Sequence, residues 1–302
     1  MEQVWDQGEK QSPMKTALIM EGGAMRGMFT CGVIDVLLEN DIPFDGAAGI
    51  SAGAVFGCNF ISRQVGRAIR YNKKYGRDKR YCSFWSLLTT GDLFGEDFCY
   101  RKLPEVLDPF DRETFQKSPI AFYVGATDVE TGKCAFHRCS DGGTLDIRWM
   151  QASASMPLVS RPVSIDGHLY LDGGISDSVP FRHMENLGYH RNVIILTQPD
   201  GYRKKKSKAT SLLRILLRKY PAIGTAMAER HVMYNRQMEE IKEREEKGTS
   251  FVIRPRTSLG ISRTERDPKE LERVYQLGRE EGKRALPELK RFLGLTESPS
   301  KA

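Results

Sequence analysis

Hydrophobic residues in the first part of the chain fall into short runs, each followed by a segment with helical spacing. Thr16–Met20 (TALIM) predicts a buried strand, and apolar side chains from Met28 to Asn40 recur with the period of a helix. The order then repeats, because Gly46–Ile50 (GAAGI) predicts a second strand and residues 54–65 a second helix. A glycine-containing turn separates each predicted strand from its helix.

The same alternation continues to about residue 200. Further strands are predicted at 120–127, 133–138, 168–171 and 192–197, and helices at 145–153 and 181–187. Strands that alternate with helices indicate an α/β fold, a three-layer sandwich with a mostly parallel central sheet. Sites in such sheets lie at the carboxyl ends of the strands, where the turns at 21–27 and 49–53 are both expected.

The last third of the chain has a different, basic character. Its pattern predicts a lysine-rich loop at 203–208 (RKKKSK), helices at 210–220 and 221–247, a strand at 250–254, and a final helix that begins after the cap Asp267 and ends at Gly294, with a kink at Pro287. We therefore divide the chain into an α/β domain, residues 14–198, and a basic, mainly helical C-terminal extension, residues 199–302.

The net charge of +7 is unevenly distributed. Residues 201–302 hold 25 Lys/Arg against 14 Asp/Glu, a net charge of +11, whereas residues 1–200 carry −4. Leucines mixed with cations at 210–220 suggest transient docking on an anionic membrane surface; a core-packing helix beside a solvated basic loop explains the same pattern and stays open. No nucleic-acid reader motif is found, so nucleic acid is not expected as a partner.

Two further features bear on location. No run approaches the roughly 18–20 consecutive apolar residues of a membrane-spanning helix, and the N-terminal MEQVWDQGEKQSPMK lacks the hydrophobic segment of a secretory signal. We expect a cytoplasmic protein, peripheral on a membrane if the basic segment docks.

The six cysteines form no Cys-x-x-Cys pair and are expected as free thiols rather than as disulfides or metal ligands. The sequence leaves the oligomeric state open.

The second turn carries a candidate nucleophile. Gly49-Ile50-Ser51-Ala52-Gly53 fits Gly-x-Ser-x-Gly, in which two glycines permit a sharp strand-to-helix turn that exposes the serine hydroxyl. An ordinary strand–helix junction also explains this pentapeptide. A catalytic Ser51 therefore needs partners, a base to take its proton and donors to hold the oxyanion.

Two other glycine-containing turns supply such candidates. The turn at 21–27 (EGGAMRG) can present successive backbone N–H groups to a developing negative charge. It has Ala24 at the third glycine position and no Gly-Lys-Ser/Thr follows, so a nucleotide is not expected there. Asp172-Gly173-Gly174 places a carboxylate at the end of a predicted strand, where it can act as a general base, although Asp-Gly-Gly is also a common plain turn.

Histidine is the alternative base. The chain has five, at positions 137, 168, 183, 190 and 231, and none lies in a convincing catalytic setting. A Ser-His-Asp hydrolase that uses His183 stays open as a rival.

In chain order, EGGAMRG (21–27), GISAG (49–53) and DGG (172–174) resemble the three signatures of the patatin-like phospholipase family, over roughly residues 14–198. The resemblance implies a fold similar to α/β-hydrolases but distinct from them. It also implies a serine acyl hydrolase of lipids or other carboxylic esters that needs no cofactor or metal. On this reading Ser51 is the nucleophile and Asp172 the general base of a Ser-Asp dyad, which works through an acyl-enzyme, and residues 14–198 are the catalytic domain.

The resemblance assigns supporting roles as well. Backbone N–H groups of Gly22, Gly23 and Ala24 would form the oxyanion hole, and Arg26 matches the basic position of the first motif. The glycines that would shape the three turns are Gly27, Gly49, Gly53, Gly173 and Gly174. The family frequently has a third glycine where this chain has Ala24, and alanine keeps its N–H. Residues 152–157 (ASASMP) resemble the stretch ahead of the family's last strand and are expected to line the acyl pocket. A non-catalytic lipid- or membrane-binding regulatory protein on the same fold is the second alternative.

Overall fold

An α/β sandwich is seen in the computed structural model, which describes residues 14–207, 212 and 215–295. In chain order the strands are β1 (Thr16–Met20), β2 (Gly46–Ile50), β3 (Ala121–Asp128), β4 (Cys134–Arg138), β5 (Val163–Ile165), β6 (His168–Asp172), β7 (Arg191–Ile195) and β8 (Ser250–Ile253). The helices are α1 (Gly27–Glu39), α2 (Ala52–Ile61), α3 (Arg67–Tyr75), α4 (Phe84–Thr90), α5 (Arg112–Lys117), α6 (Thr144–Ala154), α7 (Phe181–Asn186), α8 (Pro221–Glu246) and α9 (Pro268–Leu293). A π-helical segment, Phe98–Leu107, lies between α4 and α5.

Within the described residues, eight strands form one sheet in the order β5-β6-β3-β2-β1-β7-β8, with β4 paired to β3. Strands β3, β2, β1, β7 and β8 run parallel, whereas β4 and β6 are antiparallel to β3, and β5 is antiparallel to β6. The carboxyl ends of the parallel strands therefore lie along one side of the sheet. The predicted α/β class, with a mostly parallel central sheet between helices, is confirmed.

Alternate residues of β1 face two hydrophobic layers. Leu18 and Met20 pack in the larger core with α1, α2 and α9, whereas Ala17 and Ile19 pack with α7 and α8 on the opposite face. All four side chains are fully buried. A strand covered on both faces must be apolar at successive positions, which is why TALIM shows no alternation.

Three strands pair with β3. Strand β4 pairs with residues 123–127 along one edge. Strand β2 pairs with residues 121–125 and β6 with residues 126–128, so these two strands share the opposite edge, one along each half of β3. The last residue of β2 lies opposite Gly125 and the last residue of β6 opposite Ala126. The carboxyl ends of β2 and β6 therefore meet.

Most predicted elements are confirmed, with small shifts at their ends. The helix predicted at 54–65 occupies Ala52–Ile61, because it begins directly after Ser51 and because Arg63 takes a left-handed conformation, φ +54°, that ends it. Residues 66–118, for which the pattern predicts no element, hold α3, α4, the π-helical segment and α5.

Two predictions in the last third of the chain have different outcomes. The basic helix predicted at 210–220 lies partly outside the described residues; of the positions that are described, 212, 215 and 216 are helical and 217–219 form a turn. The final helix has the predicted boundaries: Asp267 accepts a hydrogen bond from the N–H of Lys269, and Gly294 ends α9 with φ +70°. Pro287 lies inside α9, which continues to Leu293.

The C-terminal extension completes the same sheet and core. Strand β8 pairs with β7, and α9 packs on α1 at very short range. A Cβ on Gly278 would lie 2.0 Å from the carbonyl oxygen of Phe29, and one on Gly32 would lie 2.1 Å from that of Tyr275. Two helix backbones can approach this closely only where glycine stands at the crossing.

The six cysteines are free thiols, and Cys31, Cys58, Cys82 and Cys139 are buried. Among the helices of the described residues, none is long and apolar enough to cross a membrane.

Candidate active site

The turn after β2 places Ser51 in a conformation that non-glycine residues rarely adopt. Its backbone has φ +54° and ψ −122°, and it is the N-cap residue of α2, so the partial positive charge of the helix amino terminus lies at the serine. Glycines on both sides permit this bend. A Cβ on Gly49 would lie 2.3 Å from the carbonyl oxygen of Gly53, and one on Gly53 would lie 2.3 Å from that of Met20.

Strand register brings Asp172 to Ser51. The ends of β2 and β6 lie opposite Gly125 and Ala126 on one edge of β3, so the residue after β2 neighbours the last residue of β6. The Ser51 Oγ donates a hydrogen bond to Asp172 Oδ2 at 2.7 Å. The other oxygen, Oδ1, accepts from the N–H of Gly174 at 2.8 Å, which fixes the orientation of the carboxylate.

Small residues are required directly after Asp172. A Cβ on Gly173 would lie 2.3 Å from the carbonyl oxygen of Gly125. One on Gly174 would lie 3.0 Å from Asp172 Oδ1 and 3.0 Å from a nitrogen of Arg230. The two glycines therefore let the carboxylate sit against β3 and accept the N–H of Gly174.

The environment of Asp172 changes its acidity. Burial raises the pKa of Asp172 above its ordinary value, and the Arg230 guanidinium, the Ser51 hydroxyl and the Gly174 N–H oppose this rise. Only 5% of the residue is exposed. A carboxylate with an increased proton affinity is a better base toward a serine hydroxyl than an exposed one. The pair has the contact and the electrostatic setting needed to move a proton from Ser51 to Asp172.

The turn at 21–27 lies beside Ser51. A Cβ on Gly22 would lie 2.8 Å from the Cβ of Ser51, so only glycine allows this approach. Ala24 has φ +50°, a left-handed conformation that glycine adopts without strain. In the part of the chain that the structure describes, the N–H groups of Gly22, Gly23 and Ala24 donate to no protein acceptor. They can therefore donate to an oxyanion formed at Ser51.

A buried carboxylate anchors this turn. Glu21 Oε2 accepts from the N–H of Thr197 at 2.6 Å, and Oε1 accepts from the Tyr234 hydroxyl at 2.9 Å. Arg26 Nε donates to Thr197 Oγ1 at 3.5 Å. Gly27 packs against α2, where a Cβ would lie 2.8 Å from an aromatic carbon. The turn is thus held from the residues that follow β7, from α8 and from α2.

Ser153 is a further polar residue at the site, and no motif marks it individually. Its buried Oγ accepts from the N–H of Ser51 at 2.8 Å and donates to the carbonyl oxygen of Gly125 at 2.6 Å. Because the Ser51 N–H is engaged in this way, it is not free to donate to an oxyanion. The one available signal for Ser153 is its membership of the stretch 152–157, three residues of which line the cavities described below: Ala154, Met156 and Pro157.

The histidines lie apart from this pair. His183, the rival base, stacks on Phe136 with ring centroids 3.7 Å apart, and its buried Nε2 has no hydrogen-bond partner in the described chain. All five histidines fall within the described residues, and none of them is hydrogen-bonded to Ser51 or Asp172. The geometry therefore favours Asp172 over His183 as the base.

One trio among the described side chains has ligand atoms close enough to meet at a metal ion. His137, Cys139 and Asp146 have such atoms within 4.8 Å of one another. Both Asp146 oxygens are already engaged, Oδ1 with His137 and Oδ2 with the N–H groups of residues 140–142. We interpret these contacts as fixing the loop before α6.

Two cavities meet at Ser51, and both linings include Ala24, Ser51 and Met156. The apolar cavity, about 110 Å³, is lined mainly by aliphatic and aromatic side chains, among them Val55, Phe56, Tyr81, Leu103, Phe110 and Met150. Its one charged lining residue, Arg67, donates to Asn59 and to the Asp108 carbonyl oxygen.

The second cavity, about 320 Å³, contains Asp172 and the turn at 21–27. We call it the cationic cavity because its lining includes Arg26, Lys204, Arg230 and Arg263. Ser51 therefore stands between an apolar and a positively charged compartment.

Comparisons with known proteins cover most of the chain. A family model described as patatin-like phospholipase matches residues 18–184, and one described as a domain of unknown function (DUF6363) matches residues 220–294. The uncharacterized protein YjjU of Escherichia coli is 31% identical over 193 residues, 62% of this chain and 53% of YjjU. Lysophospholipase nte1 of Aspergillus niger is 27% identical over 176 residues, 57% of this chain and 11% of that protein. The chain thus matches about half the length of one relative and about a tenth of the other.

Among solved structures, VipD from Legionella pneumophila superposes with a TM-score of 0.46 at 12% sequence identity, over 92% of this chain and 67% of that one.

Proposed function

The chain belongs to the patatin-like phospholipase family, and from this membership we propose that it is a lipid acyl hydrolase with Ser51 as nucleophile and Asp172 as general base. The observation that carries the proposal is the 2.7 Å hydrogen bond from Ser51 Oγ to Asp172 Oδ2 beside the turn at 21–27. The relative nte1 is named as a lysophospholipase, which supports a lipid ester as the substrate class.

In the first step, Ser51 Oγ attacks the ester carbonyl carbon while its proton passes to Asp172 Oδ2. The carbonyl oxygen becomes an oxyanion, to which Gly22, Gly23 and Ala24 donate their N–H groups. One such donor is typically worth about 10²–10³ in rate. The ester C–O bond then breaks, the proton moves from Asp172 to the leaving oxygen, and the alcohol departs from acyl-Ser51.

In the second step, water attacks the carbonyl carbon of acyl-Ser51 and gives a proton to Asp172. The bond to Ser51 Oγ breaks, the serine oxygen takes that proton back, and the carboxylic acid leaves. One ester and one water yield one alcohol and one acid, and both residues return to their starting states. The proposal includes no cofactor.

We place the acyl chain in the apolar cavity. The lining from α2 and from residues 62–118 supplies the hydrocarbon contacts that an alkyl chain needs, and Ser51 is part of the same lining. Tyr81 and Phe110 are almost fully buried, so the cavity walls are held by the main core. The catalytic domain of the proposal remains residues 14–198.

Access to a lipid requires contact with a membrane or micelle. Leu212, Ile215 and Leu216 are each more than half exposed and follow the lysine-rich loop, which supports transient docking of this segment on an anionic surface of a cytoplasmic membrane. Flotation with anionic vesicles tests this part of the proposal. A triple serine variant of these residues should float less than the parent, and equal flotation would exclude docking through them.

Chromogenic short-chain and long-chain esters test the chemistry. We expect Ser51→Ala to be inactive, Asp172→Asn to lose about 10²–10⁴-fold in kcat, and His183→Ala to stay close to the parent. A fluorophosphonate probe should label the parent protein and leave Ser51→Ala unlabelled. An inactive, folded His183→Ala beside an active Asp172→Asn would show that the dyad is wrong. A parent protein that the probe does not label would refute the hydrolase itself.

A further inference from the structure

The cationic cavity holds more positive charge than the Ser51–Asp172 pair uses. We propose that Arg26, Lys204, Arg230 and Arg263 bind a phosphomonoester group of the substrate, so that the enzyme hydrolyses carboxylic esters carried on a glycerol phosphate. The inference rests on the proposed function and extends it by naming the group on the alcohol side of the ester.

Among the described residues, the four cations form no salt bridge with a carboxylate, unlike two other cations of the C-terminal extension. Arg203 pairs with Glu239 at 2.8 Å, and Arg236 pairs with Glu240 at 3.0 Å. Cations that face one another in a crevice repel, and each has given up part of its hydration. An anion bound between them offsets both costs, which is the usual reason for such an arrangement at a ligand site.

Single contacts hold three of the cations in place and leave donors unused. Arg230 Nε donates to the carbonyl oxygen of Gly174 at 2.5 Å, and the terminal nitrogens of Arg230 donate to nothing else in the described chain. Arg26 is held only through Nε, on a threonine hydroxyl. Lys204 Nζ lies 4.4 Å from the ring centroid of Tyr234. Guanidinium and ammonium groups with free N–H donors are the groups that bind phosphate oxygens.

The charges of the lining decide which phosphate fits. Four cations and two carboxylates, Glu21 and Asp172, line the cavity, which leaves a net charge of +2. Glu21 already accepts hydrogen bonds from a threonine and a tyrosine. A phosphomonoester carries about −1.5 to −2 near pH 7 and balances this excess. A phosphodiester carries a single negative charge and balances only half of the net +2. A choline headgroup would bring a further positive charge next to the four cations of the lining.

The acidities of the cations reflect their burial and their mutual repulsion. Burial, followed by the charge of Arg230, lowers the pKa of Lys204 to about 8. Partial burial and the charges of Arg26 and Arg230 lower the pKa of Arg263, which lies at the exposed rim. A bound dianion favours the charged form of each group and reverses these shifts.

The position of Ser51 fits a substrate of this class. An alkyl chain in the apolar cavity and a phosphate in the cationic cavity would place the ester between them, at the serine that both linings share. Lys204, Arg230 and Arg263 come from the C-terminal extension. The extension, which includes the region matched to a domain of unknown function, would therefore supply the headgroup specificity of a catalytic domain that precedes it.

Three lipids with the same acyl chain test the inference: 1-acylglycerol 3-phosphate, 1-acylglycerophosphocholine and 1-acylglycerol. We expect kcat/KM for the phosphomonoester to exceed the other two at least about 10-fold, since a hydrogen bond to a charged group contributes on that scale. Lys204→Met and Arg263→Gln should each lower this ratio several-fold. Lys206→Met removes an exposed cation from the same loop, outside the cavity lining, and should keep the parent ratio.

Equal kcat/KM values for the three lipids, or an equal effect of Lys206→Met and Lys204→Met, would overturn the inference and leave the proposed function standing. If the parent hydrolyses neither these lipids nor a chromogenic ester, the proposed function fails and the inference falls with it.

Inhibition of neutral chromogenic ester hydrolysis separates a lipid headgroup from free phosphate. Glycerol 3-phosphate should inhibit more strongly than inorganic phosphate, because it resembles the alcohol half of the substrate. Inhibition by inorganic phosphate without any preference among the lipids would indicate a site for free phosphate and would also overturn the inference.

Discussion

Asp172 can take the proton of Ser51 only while its carboxylate is ionised, so its pKa sets the acidic limit of the proposed activity. Burial raises that pKa, and the charge of Arg230 is the largest opposing influence. Activity is therefore expected at a pH above the pKa of Asp172 and is expected to be lost as the pH falls through this pKa. A change that raises this pKa moves the loss to higher pH.

We therefore predict that Arg230→Gln moves the acidic limb of the kcat/KM profile to higher pH, whereas Arg230→Lys leaves it near that of the parent. A neutral short-chain chromogenic ester is the appropriate substrate, because it carries no phosphate. Arg236→Gln removes an exposed charge from the same helix and serves as the control. An unchanged limb in Arg230→Gln would mean that a group other than Asp172 titrates.

Among the residues of the candidate site, the sequence predicts those that belong to a glycine-containing turn motif. Ser51 and the turn at 21–27 follow the carboxyl ends of two parallel strands, and Asp172 joins them because the end of β6 meets the end of β2 on β3. Ser153 was missed, because its role consists of two hydrogen bonds to residues far away in the chain. The residues around a serine inside a helix form no local pattern that predicts such distant hydrogen bonds.

Among the elements, the crossing of α1 and α9 depends on glycine. We predict that Gly278→Ala destabilises the protein by about 2 kcal/mol or more, because its Cβ would lie 2.0 Å from a backbone oxygen of α1. Gly282→Ala, one turn later on the same helix, meets a side chain at 3.2 Å and should change stability by less than about 1 kcal/mol, since alanine favours the helix. Urea unfolding compares the two variants. An equal loss of unfolding free energy in the two variants would contradict the close crossing of α1 and α9.

Long elements were predictable and short ones were not. The strands of the parallel sheet and the helices α1, α8 and α9 have enough residues to show a period. Strand β5 has three residues, and the helices of residues 62–118 are short and tied by tertiary contacts, such as the bidentate hydrogen bonds from Arg70 to Asp108. Much of the apolar cavity comes from this segment, so the proposed acyl site could not be outlined from the sequence.

The order of strands was likewise not predictable. Hydrophobic patterns predict that a strand exists, but they contain no information on which edge of β3 it occupies. The shared edge of β2 and β6 is set by pairings between residues 42 to 75 positions apart. This arrangement is what brings Ser51 and Asp172 within hydrogen-bond distance.

For the whole molecule, the C-terminal extension belongs to the folding unit. Leu271, Val274 and Leu289 of α9 are fully buried in the main core, and each such side chain contributes about 1.5–3 kcal/mol. Their sum approaches the total stability of a typical domain, about 5–15 kcal/mol. Loss of β8 would in addition expose an edge of β7.

We therefore predict that a chain ending at residue 198 does not fold, whereas a chain ending at residue 295 unfolds like the parent in one transition. Circular dichroism and tryptophan fluorescence, followed together during thermal unfolding, measure this. Two separate transitions in the parent, or a soluble and cooperatively folded 1–198, would contradict this prediction and show that residues 14–198 are stable without the extension.

The meeting of two cavities at Ser51 has a consequence for the fate of the acyl group. After cleavage the alcohol half would occupy the cationic cavity and the acyl chain the apolar one. Water could then reach acyl-Ser51 only through the compartment that the alcohol has left, so the two products would leave in a fixed order. A second glycerol phosphate entering that compartment would present a hydroxyl where water otherwise attacks. The supply of phosphorylated alcohols would then decide how acyl groups are divided between release as free acid and transfer to a new ester.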